Sequence, residues 1–335
     1  MEKYVVILAA GRGTRMQSRN PDHSKVAYPI LDKPIINYVL DEVKGINPKT
    51  IVTVVGFGGE ITKSLVEHES EVVWQKNING TGAAVLQAKP IIGDKEGLTL
   101  VVCGDTPLIT SETIHNVFRI HEKANNDLTI VSMVLENPRG YGRIVREEKT
   151  NRVIAIREDR DCNGDERYIN EVNTGVYVFD NKKLFHYLEQ LTPDNAQHEY
   201  YLTDVVSMFN KDGLRVGAYI VENAAEMFGI NDRVQLAYAA KVIRKRVNHK
   251  LMLSGVSIED PDTAYISPDV VIGKDTIIRP NTSIMGKSKI GENNFIGPNV
   301  YLKDVTIGND NVILSSWLEN EEIGNGQTLF EVKKR

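Results

Sequence analysis

The sequence is poor in the residues and segments that mark secreted, disulfide-stabilised and membrane proteins. Its only cysteines are Cys103 and Cys162, and their spacing fits neither a disulfide framework nor a zinc site. No apolar run approaches the roughly 20 residues of a membrane span. One early lysine leads directly into the first apolar segment, without the layout of a signal peptide. We therefore expect a soluble, cytoplasmic protein with no membrane partner.

Several catalytic and binding classes also lack their characteristic residues here. The seven histidines are scattered without metal-ligand spacing, and no Gly-x-Ser-x-Gly turn indicates an acyl-enzyme. A formal net charge of −5 argues against general nucleic-acid binding, which needs a basic face. The hydrophobic fraction of 41% and the charged fraction of 25% are those of a globular protein, and 335 residues allow two domains.

The first two-thirds of the chain alternates strand-like and helix-like segments. This alternation predicts an α/β fold with a mainly parallel sheet and helices on both faces. Ligands bind at the carboxyl ends of the strands in such sheets. The expected strands are 4–8, 51–55, 71–75, 98–103, 128–135, 153–156, 175–179 and 215–221, and the expected helices include 35–43, 61–68 and 81–88.

From Ile266 onward the pattern changes to a six-residue repeat of aliphatic residues. The step is strictly six up to Leu302, and occasional steps of five follow as far as Leu329. This hexapeptide pattern predicts a short left-handed parallel β-helix, in which each step forms one side of a triangular coil. The repeated positions are Ile266, Ile272, Ile278, Ile284, Ile290, Ile296, Leu302, Ile307, Ile313, Leu318, Ile323 and Leu329.

A helix over residues 231–250 separates the two patterns. Its basic run, which includes Lys241 and Arg244–Arg246, is interpreted as a solvated helix face rather than a nucleic-acid site. The expected division is therefore an α/β domain over residues 1–230, a linker helix over 231–252 and a β-helix over 253–335.

The first expected strand ends in a loop that contains Gly11, Gly13 and Arg15, with Lys25 further along the chain. Glycines let backbone amides approach an anion closely, and arginines add fixed positive charge. No Gly-Lys-Ser/Thr sequence closes the loop, so it is not a Walker A motif, and it lacks the third glycine of the dinucleotide fingerprint. We expect the loop to hold phosphate.

Other polar residues follow expected strands and have more than one interpretation. Asp105 could hold Mg²⁺ between phosphates, or it could open the following turn or cap a helix near Ser111. Gln75 could pair with a base edge, whereas the nearby Thr81 could simply cap a helix. Polar residues at later strand edges suit sugar hydroxyls, or are ordinary surface groups; they are Glu158 and Asn173.

Taken in order, these motifs resemble a known family. The stretch from Leu8 to Met16, with Lys25, is similar to the signature of sugar-phosphate nucleotidyltransferases. The further motifs extend the resemblance along the whole chain to the bacterial bifunctional N-acetylglucosamine-1-phosphate uridyltransferase/glucosamine-1-phosphate acetyltransferases. They surround Gln75, Asp105, Gly142, Glu158, Asn173, His198 and Asn231. Ser24 stands where the family usually has proline, and His198 where it commonly has glycine.

The resemblance implies a Rossmann-like nucleotidyltransferase domain followed by the β-helix. It implies transfer of a uridylyl group from UTP to N-acetylglucosamine-1-phosphate, with Mg²⁺ as cofactor and a homotrimer formed through the β-helix. The product, UDP-N-acetylglucosamine, would serve cell-envelope precursor synthesis. Carried over by motif, Arg15 and Lys25 are catalytic, Asp105 and Asn231 are metal ligands, and the substrate-binding residues are Leu8, Ala9, Ala10, Gly11, Lys25, Gln75, Gly80, Thr81, Cys103, Gly104, Asp105, Gly142, Glu158, Asn173 and Asn231.

Three alternatives accompany this interpretation. The chain could use another base or sugar-1-phosphate, it could be a non-catalytic nucleotide-binding assembly protein, or its hexapeptide coils could transfer acyl groups. In the family, later coils of the β-helix carry the residues for acetyl transfer, and none of them follows Leu329 here. We therefore expect no acetyltransferase activity from these 335 residues.

Overall fold

The computed structural model describes residues 1–19, 23–77 and 79–334. The chain divides into two compact units, the first made of Met1–Tyr28 and Ile35–Asp232, the second of Pro29–Pro34 and Arg233–Arg335. Among the described residues, no helix combines the length and apolar character needed to cross a bilayer.

The elements up to residue 253 follow one another in alternation. The strands are β1 (Lys3–Ala9), β2 (Pro29–Ile30), β3 (Lys33–Pro34), β4 (Thr50–Val55), β5 (Glu71–Trp74), β6 (Leu98–Cys103), β7 (Leu128–Val134), β8 (Arg143–Arg146), β9 (Val153–Arg157), β10 (Glu171–Asp180) and β11 (Val216–Ile220). The α-helices are α1 (Ile35–Lys44), α2 (Gly59–Val66), α3 (Thr81–Leu86), α4 (Lys89–Ile92), α5 (Ser111–Ala124), α6 (Asn181–Leu188), α7 (Asp204–Lys211) and α8 (Arg233–Leu253). Short 3₁₀ helices occupy Thr14–Met16, Lys25–Ala27, Gly164–Tyr168 and Ala224–Met227.

A mixed sheet forms the centre of the first unit, in the order β11-β7-β10-β6-β1-β4-β5, with β8 and β9 joined through β10. Strands β6, β1, β4 and β5 pair in parallel, as the alternating pattern predicts. Strand β10 instead runs antiparallel to both β6 and β7. The α/β class is confirmed, but the sheet is mixed rather than mainly parallel, because β8 also pairs antiparallel with β10 and with β9.

Strand β1 shows why the sheet is covered on both faces. Successive side chains of a strand point to opposite faces. Tyr4 and Val6 belong to one buried cluster, whereas Val5, Ile7 and Ala9 belong to the other. A strand buried on both faces carries a continuous apolar run, and this run made β1 recognisable in the sequence.

The second unit contains the strands of a three-sided parallel β-helix. They are β12 (Ser257–Ile258), β13 (Ala264–Ile266), β14 (Val271–Ile272), β15 (Ile277–Ile278), β16 (Thr282–Met285), β17 (Lys289–Ile290), β18 (Phe295–Ile296), β19 (Tyr301–Lys303), β20 (Thr306–Ile307), β21 (Val312–Leu314), β22 (Trp317–Glu319), β23 (Glu322–Ile323), β24 (Thr328–Phe330) and β25 (Lys333–Lys334). Within the described residues they pair in parallel as β12-β15-β18-β21-β24, β13-β16-β19-β22-β25 and β14-β17-β20-β23.

The repeated aliphatic residues fill the inside of these coils. All of them from Ile266 to Leu318 are buried, and Ile323 and Leu329 pack partly buried against the same cluster. The hexapeptide prediction of a short left-handed β-helix is confirmed.

The hairpin β2–β3 and the helix α8 belong to the second unit. Lys33 Nζ lies 2.8 Å from Asp269 Oδ1, and Lys303 Nζ lies 2.9 Å from Asp32 Oδ2. Asn248 of α8 donates its side-chain amide to the carbonyl of Ala264 at 3.0 Å. Nothing in the sequence indicated that residues 29–34 belong with the β-helix, because these contacts join residues far apart in the chain.

Candidate functional site

The phosphate-type loop and Asp105 lie side by side because their strands are neighbours. Leu8 of β1 pairs with Cys103 of β6 in parallel register. The N–H of Gly104 donates to the carbonyl of Leu8 at 2.9 Å, which places the two strand ends together. Residues that follow these strands therefore share one edge of the sheet, where ligands of α/β proteins bind.

Gly13 brings the loop against Lys25. Its φ of +58° lies in the left-handed region that favours glycine, and a Cβ added there would lie 2.6 Å from the Cβ of Lys25. Lys25 begins the 3₁₀ helix Lys25–Ala27, with only 12% of its side chain exposed. Arg15 lies in the preceding 3₁₀ helix, and its side chain is exposed. This region thus combines the enclosed Lys25 with two solvent-facing cations, Arg12 and Arg15.

Lys25 joins two residues that are far apart in the sequence. Its Nζ donates to Asp105 Oδ2, and also to Asn231 Oδ1 at 3.0 Å. The N–H of Ile230 donates to the carbonyl of Asp105 at 2.8 Å, which holds residues 229–231 beside β6. Two side-chain oxygens therefore face one positive charge, as the ligands of a small cation would.

The alternative helix-capping roles of Asp105 and Thr81 are not what the structure shows. Helix α5 is capped by Thr110, whose hydroxyl accepts from the N–H of Thr113, so Asp105 does not cap it. Thr81 is the first residue of α3 and its hydroxyl accepts from the N–H of Leu202 at 3.1 Å.

A cavity of about 250 Å³ lies at these strand ends. Gln75 forms part of its wall, is nearly buried, and donates its side-chain amide to the carbonyl of Gly80 at 3.1 Å. Ten of the residues expected at the site line the cavity, together with Val26, Ala84 and Glu199. The ten are Leu8, Ala9, Ala10, Gly11, Lys25, Gln75, Gly80, Thr81, Cys103 and Asp105.

Gly80 allows the cavity wall to close against Tyr200. Its φ is +117°, and a Cβ added there would lie 2.4 Å from the carbonyl oxygen of Tyr200. The flanking hydrogen bonds join Tyr200 N–H to Asn79 at 2.8 Å and Gly82 N–H to Tyr200 at 2.8 Å. This segment can keep its position only without a side chain at residue 80.

Gly80→Ala should therefore destabilise the protein by about 1–3 kcal/mol, the usual cost of a strained backbone conformation. Thermal unfolding followed by circular dichroism measures this loss. Gly11→Ala is the matched control, because among the described residues no heavy atom outside its chain neighbours lies within 4 Å of a Cβ added at Gly11. Equal melting temperatures for the two variants would contradict the role given to Gly80.

A second cluster of expected residues surrounds Gly142. The N–H of Asn173 donates to the carbonyl of Gly142 at 2.8 Å. A Cβ added at Gly142 would lie 3.5 Å from both carboxylate oxygens of Glu158. Glu158 accepts a hydrogen bond from the hydroxyl of Thr203 at 3.0 Å. The carboxylate of Glu158 and the backbone N–H of Asn173 therefore both approach Gly142, and polar groups of this kind suit sugar hydroxyls.

Arg143 contacts both the turn that precedes Gly142 and Asp159, which follows Glu158. Its buried guanidinium donates to the carbonyl of Tyr141 and lies 2.9 Å from Asp159 Oδ1. Burial acts to raise the pKa of Asp159, but hydrogen bonds from Arg143 and the Gly140 amide outweigh burial and lower it. Sequence reasoning did not assign Arg143 or Thr203 to the site, because no local pattern indicates that their side chains contact Asp159 and Glu158.

Glu158 has a raised pKa, chiefly because burial disfavours its charged form, and nearby aspartates add to the effect. A carboxyl whose pKa is higher in the folded state costs stability above its ordinary value of 4.5. That cost disappears at lower pH, where the group is protonated in both states.

Glu158→Gln should consequently raise the melting temperature at pH 7.5, and the gain should shrink as the pH approaches 4.5. Glu148→Gln, at an exposed position, is the control and should show no such gain. Differential scanning calorimetry across this pH range tests the prediction. A Glu158→Gln variant that is less stable than wild type at pH 7.5 would contradict it.

Cys103 lines the cavity and also contacts strand β10 close to Asn173. Its Sγ lies 3.9 Å from the carbonyl oxygen of Gly175, two residues after Asn173. Burial and the charge of Asp105 raise the pKa of the thiol to about 12, so it stays protonated and is not a nucleophile. The contact connects β6 to the part of β10 that carries Asn173.

The structure thus brings the expected residues into two groups, apart from Arg15, which is exposed and is not among the residues that line the cavity. Gly104 joins the cavity group through its backbone, and Asn231 joins it through Lys25. Gly142, Glu158 and Asn173 form the other group. The described residues contain no cluster of three or more His, Cys, Asp or Glu side chains suited to a metal. A cation at Asp105 and Asn231 would need further oxygen ligands from a substrate.

Comparisons of the sequence with known proteins indicate a single family, the nucleotidyl transferases. A family model described as nucleotidyl transferase matches residues 4–228. The bifunctional protein GlmU of Geobacillus sp. (strain WCH70) is 46% identical over 329 residues, which cover 98% of this chain and 71% of that protein. The bifunctional protein GlmU of Lactobacillus johnsonii is also 46% identical, over 96% of this chain and 69% of that protein.

A solved structure supports the same fold at lower similarity. A UDP-glucose pyrophosphorylase complexed with UDP-glucose matches with a TM-score of 0.57 and 20% identity, covering 73% of this chain and 100% of that one. At this identity the likeness concerns the fold alone.

Proposed function

This chain is a sugar-1-phosphate uridylyltransferase of the nucleotidyl transferase family, like the bifunctional GlmU proteins, and we propose that its sugar substrate is N-acetylglucosamine-1-phosphate. The proposed reaction joins that phosphate to the uridylyl group of UTP and releases pyrophosphate. UDP-N-acetylglucosamine, the product, would supply cell-envelope precursors.

The nucleophile needs no general base, because a sugar-1-phosphate is already ionised at neutral pH. Its phosphate oxygen attacks the α-phosphorus of UTP in line, forming one P–O bond while the bond to pyrophosphate breaks. Both reactants are anions, so the chain must position them and neutralise their charge. In this proposal Lys25 and Arg15 neutralise the phosphate oxygens, and the backbone near Ala10 and Gly11 holds the nucleotide.

Asp105 and Asn231 are proposed to hold Mg²⁺. Their side-chain oxygens both accept from the ammonium of Lys25, so they already share one cation, and hard oxygen ligands are what magnesium prefers. Bound there, the ion would clamp the phosphates and offset their developing charge. Lys25 must turn from these oxygens towards the phosphates when substrates bind.

The two remaining parts of the site are assigned to the base and the sugar. Gln75 and the Gly80–Thr81 turn are proposed to hold uracil and its ribose, since an amide side chain offers both a donor and an acceptor. Gly142, Glu158 and Asn173 are proposed to hold N-acetylglucosamine. The contact network between Gly142, Glu158 and Asn173 is the observation that carries the sugar assignment.

Pyrophosphate release with a substrate panel tests the proposal. The protein is supplied with Mg²⁺, with UTP, dTTP or ATP, and with N-acetylglucosamine-1-phosphate or glucose-1-phosphate. We expect the fastest release with UTP and N-acetylglucosamine-1-phosphate. Faster release with another pair would replace the assigned base or sugar. Tight UTP binding with no release from any pair would favour a non-catalytic assembly protein.

A parallel arm addresses acetyl transfer by these 335 residues. Acetyl-CoA and glucosamine-1-phosphate are supplied, and free thiol is measured. We propose that these 335 residues release no thiol. Thiol release that depends on glucosamine-1-phosphate would contradict this.

We also propose a homotrimer assembled through the β-helix. Large apolar side chains of this unit are exposed, among them Val271 (61%) and Phe330 (60%), and Trp317 stacks on Tyr301 with ring centroids 4.2 Å apart. Such side chains suit burial between subunits. Sedimentation equilibrium should give three times the mass of one chain, and a monomer would contradict the proposal.

A further inference from the structure

The side chains of Tyr177 and Asn173 are in contact, although both residues belong to strand β10 and regular strand geometry would keep them apart. Residues four apart in a strand are separated by about 13 Å along its axis. In β10, however, Asn173 pairs with Ser132 and Val176 pairs with Val131, so two extra residues bulge out between them. The bulge shortens the strand, and the Asn173 side-chain amide lies 2.6 Å from the Tyr177 hydroxyl.

Glycine and a threonine hydroxyl maintain this bulge. Gly175 has a φ of +80°, and a Cβ added there would lie 3.1 Å from the Sγ of Cys103. Thr174 donates its hydroxyl to the carbonyl of Val131 at 2.7 Å. Bulges commonly redirect side chains near functional sites. Here the redirected side chain is Asn173, which the proposed function assigns to the sugar.

Two hydrogen bonds fix which way the Asn173 amide faces. The N–H of Gly175 donates to Asn173 Oδ1 at 3.1 Å, and a backbone N–H can only donate, so the oxygen must lie on that side. The Nδ2 group can only donate, so the oxygen of Tyr177 accepts from it. Within the part of the chain that the structure describes, the amide makes no other hydrogen bond, so one N–H and one lone pair remain, in a fixed direction.

Tyr177 is well suited to hold this direction. It is almost fully buried, and its ring packs 5.7 Å from that of Phe179, centroid to centroid. Burial, helped by the charge of Glu158, raises the pKa of the phenol well above its usual value, so it stays a neutral hydroxyl. A rigid, neutral acceptor keeps the amide oriented at every working pH.

From this geometry we propose that Tyr177 is a positioning residue for the sugar-1-phosphate, acting only through the Asn173 amide. The inference rests on the proposed function, because it takes Asn173 as a sugar ligand. Without the phenol oxygen, Nδ2 loses its acceptor and the amide turns to satisfy it elsewhere. The sugar then meets an amide whose free N–H and lone pair are no longer aligned.

Steady-state kinetics of Tyr177→Phe test the proposal, since the substitution removes a single oxygen atom. With saturating UTP and Mg²⁺, the KM for N-acetylglucosamine-1-phosphate should rise about three- to tenfold, the effect of one neutral hydrogen bond. The KM for UTP should stay within about twofold of wild type. Tyr187→Phe is the matched control and should leave both KM values unchanged. It removes the hydroxyl of another buried tyrosine, which donates to Asp212 Oδ2 at 2.5 Å.

A double-mutant cycle separates positioning from a general structural role. Asn173→Ala should raise the KM for the sugar phosphate further, and adding Tyr177→Phe to it should have no additional effect. The same rise in both backgrounds, or an equal rise in the KM for UTP, would overturn the inference. An unchanged sugar KM in Tyr177→Phe, with an active wild type, would overturn the inference alone. A wild type that releases no pyrophosphate would overturn the proposed function and this inference with it.

Discussion

Lys25→Ala is expected to lower uridylyl transfer roughly a hundred- to a thousandfold while the protein stays folded. Removing one preorganised charged group from a site of this kind costs about 3–4 kcal/mol of transition-state stabilisation. Lys25 is the enclosed cation of the loop, since 12% of its side chain is exposed and its Nζ bonds both Asp105 and Asn231. Pyrophosphate release at saturating substrates measures the loss.

Two comparisons make the Lys25 result specific. Lys89→Ala removes a lysine that also forms an ion pair, with Glu189 at the surface, and it should keep wild-type activity. Mn²⁺ binding, measured by electron paramagnetic resonance, should survive in Lys25→Ala because Asp105 and Asn231 remain. Near-wild-type turnover of Lys25→Ala would contradict the role proposed for this residue.

Asp105→Asn is expected to lose a similar factor in rate, roughly a hundred- to a thousandfold, for a different reason. The substitution keeps the shape of the side chain but removes the negative charge, and a neutral amide binds a divalent cation much less well. Unlike Lys25→Ala, this variant should also lose Mn²⁺ binding in the presence of UTP. Metal binding therefore distinguishes the two defects.

The control for Asp105→Asn is a carboxylate of another ion pair. Asp269→Asn breaks an exposed contact with Lys33 and should change neither turnover nor Mn²⁺ binding. If Asp105→Asn kept wild-type turnover at the same metal concentration, Asp105 would not be a metal ligand in the reaction.

The parts of the fold that follow from local patterns could be predicted from the sequence. Strand β1 is buried on both faces and therefore carries a continuous apolar run. Each coil of the β-helix needs an inward aliphatic residue at a fixed spacing, so its sequence repeats. Parallel strands bring their carboxyl ends to one edge of a sheet, so the loop after β1 and Asp105 after β6 could be expected at the same edge.

Features that depend on contacts between distant residues could not be predicted in the same way. Lys25 meets Asn231 across 206 positions of the chain, and Glu158 meets Thr203 across 45. The family resemblance named Asn231 and Glu158, but no sequence pattern indicated these partners. The hairpin β2–β3 is similar, since its ion pairs to Asp269 and Lys303 are invisible in its own sequence.

The position of Asn173 in the proposed sugar site is a third feature that the sequence could not predict. Asn173 was expected at a strand edge, whereas it lies within β10 at the start of a bulge. Alternation of side chains predicts which face a residue occupies only while the strand is regular. The bulge at Thr174 and Gly175 breaks that rule, so the contact with Tyr177 could be recognised only in three dimensions.

The central claim is that these residues transfer a uridylyl group to N-acetylglucosamine-1-phosphate. The most direct test is the ratio of kcat/KM for N-acetylglucosamine-1-phosphate to that for glucose-1-phosphate, with UTP and Mg²⁺ and with the nucleotide-sugar product identified by mass spectrometry. A polar site that bonds the distinguishing group should favour N-acetylglucosamine-1-phosphate by at least about a hundredfold. A ratio near one, or a preference for glucose-1-phosphate, would contradict the account.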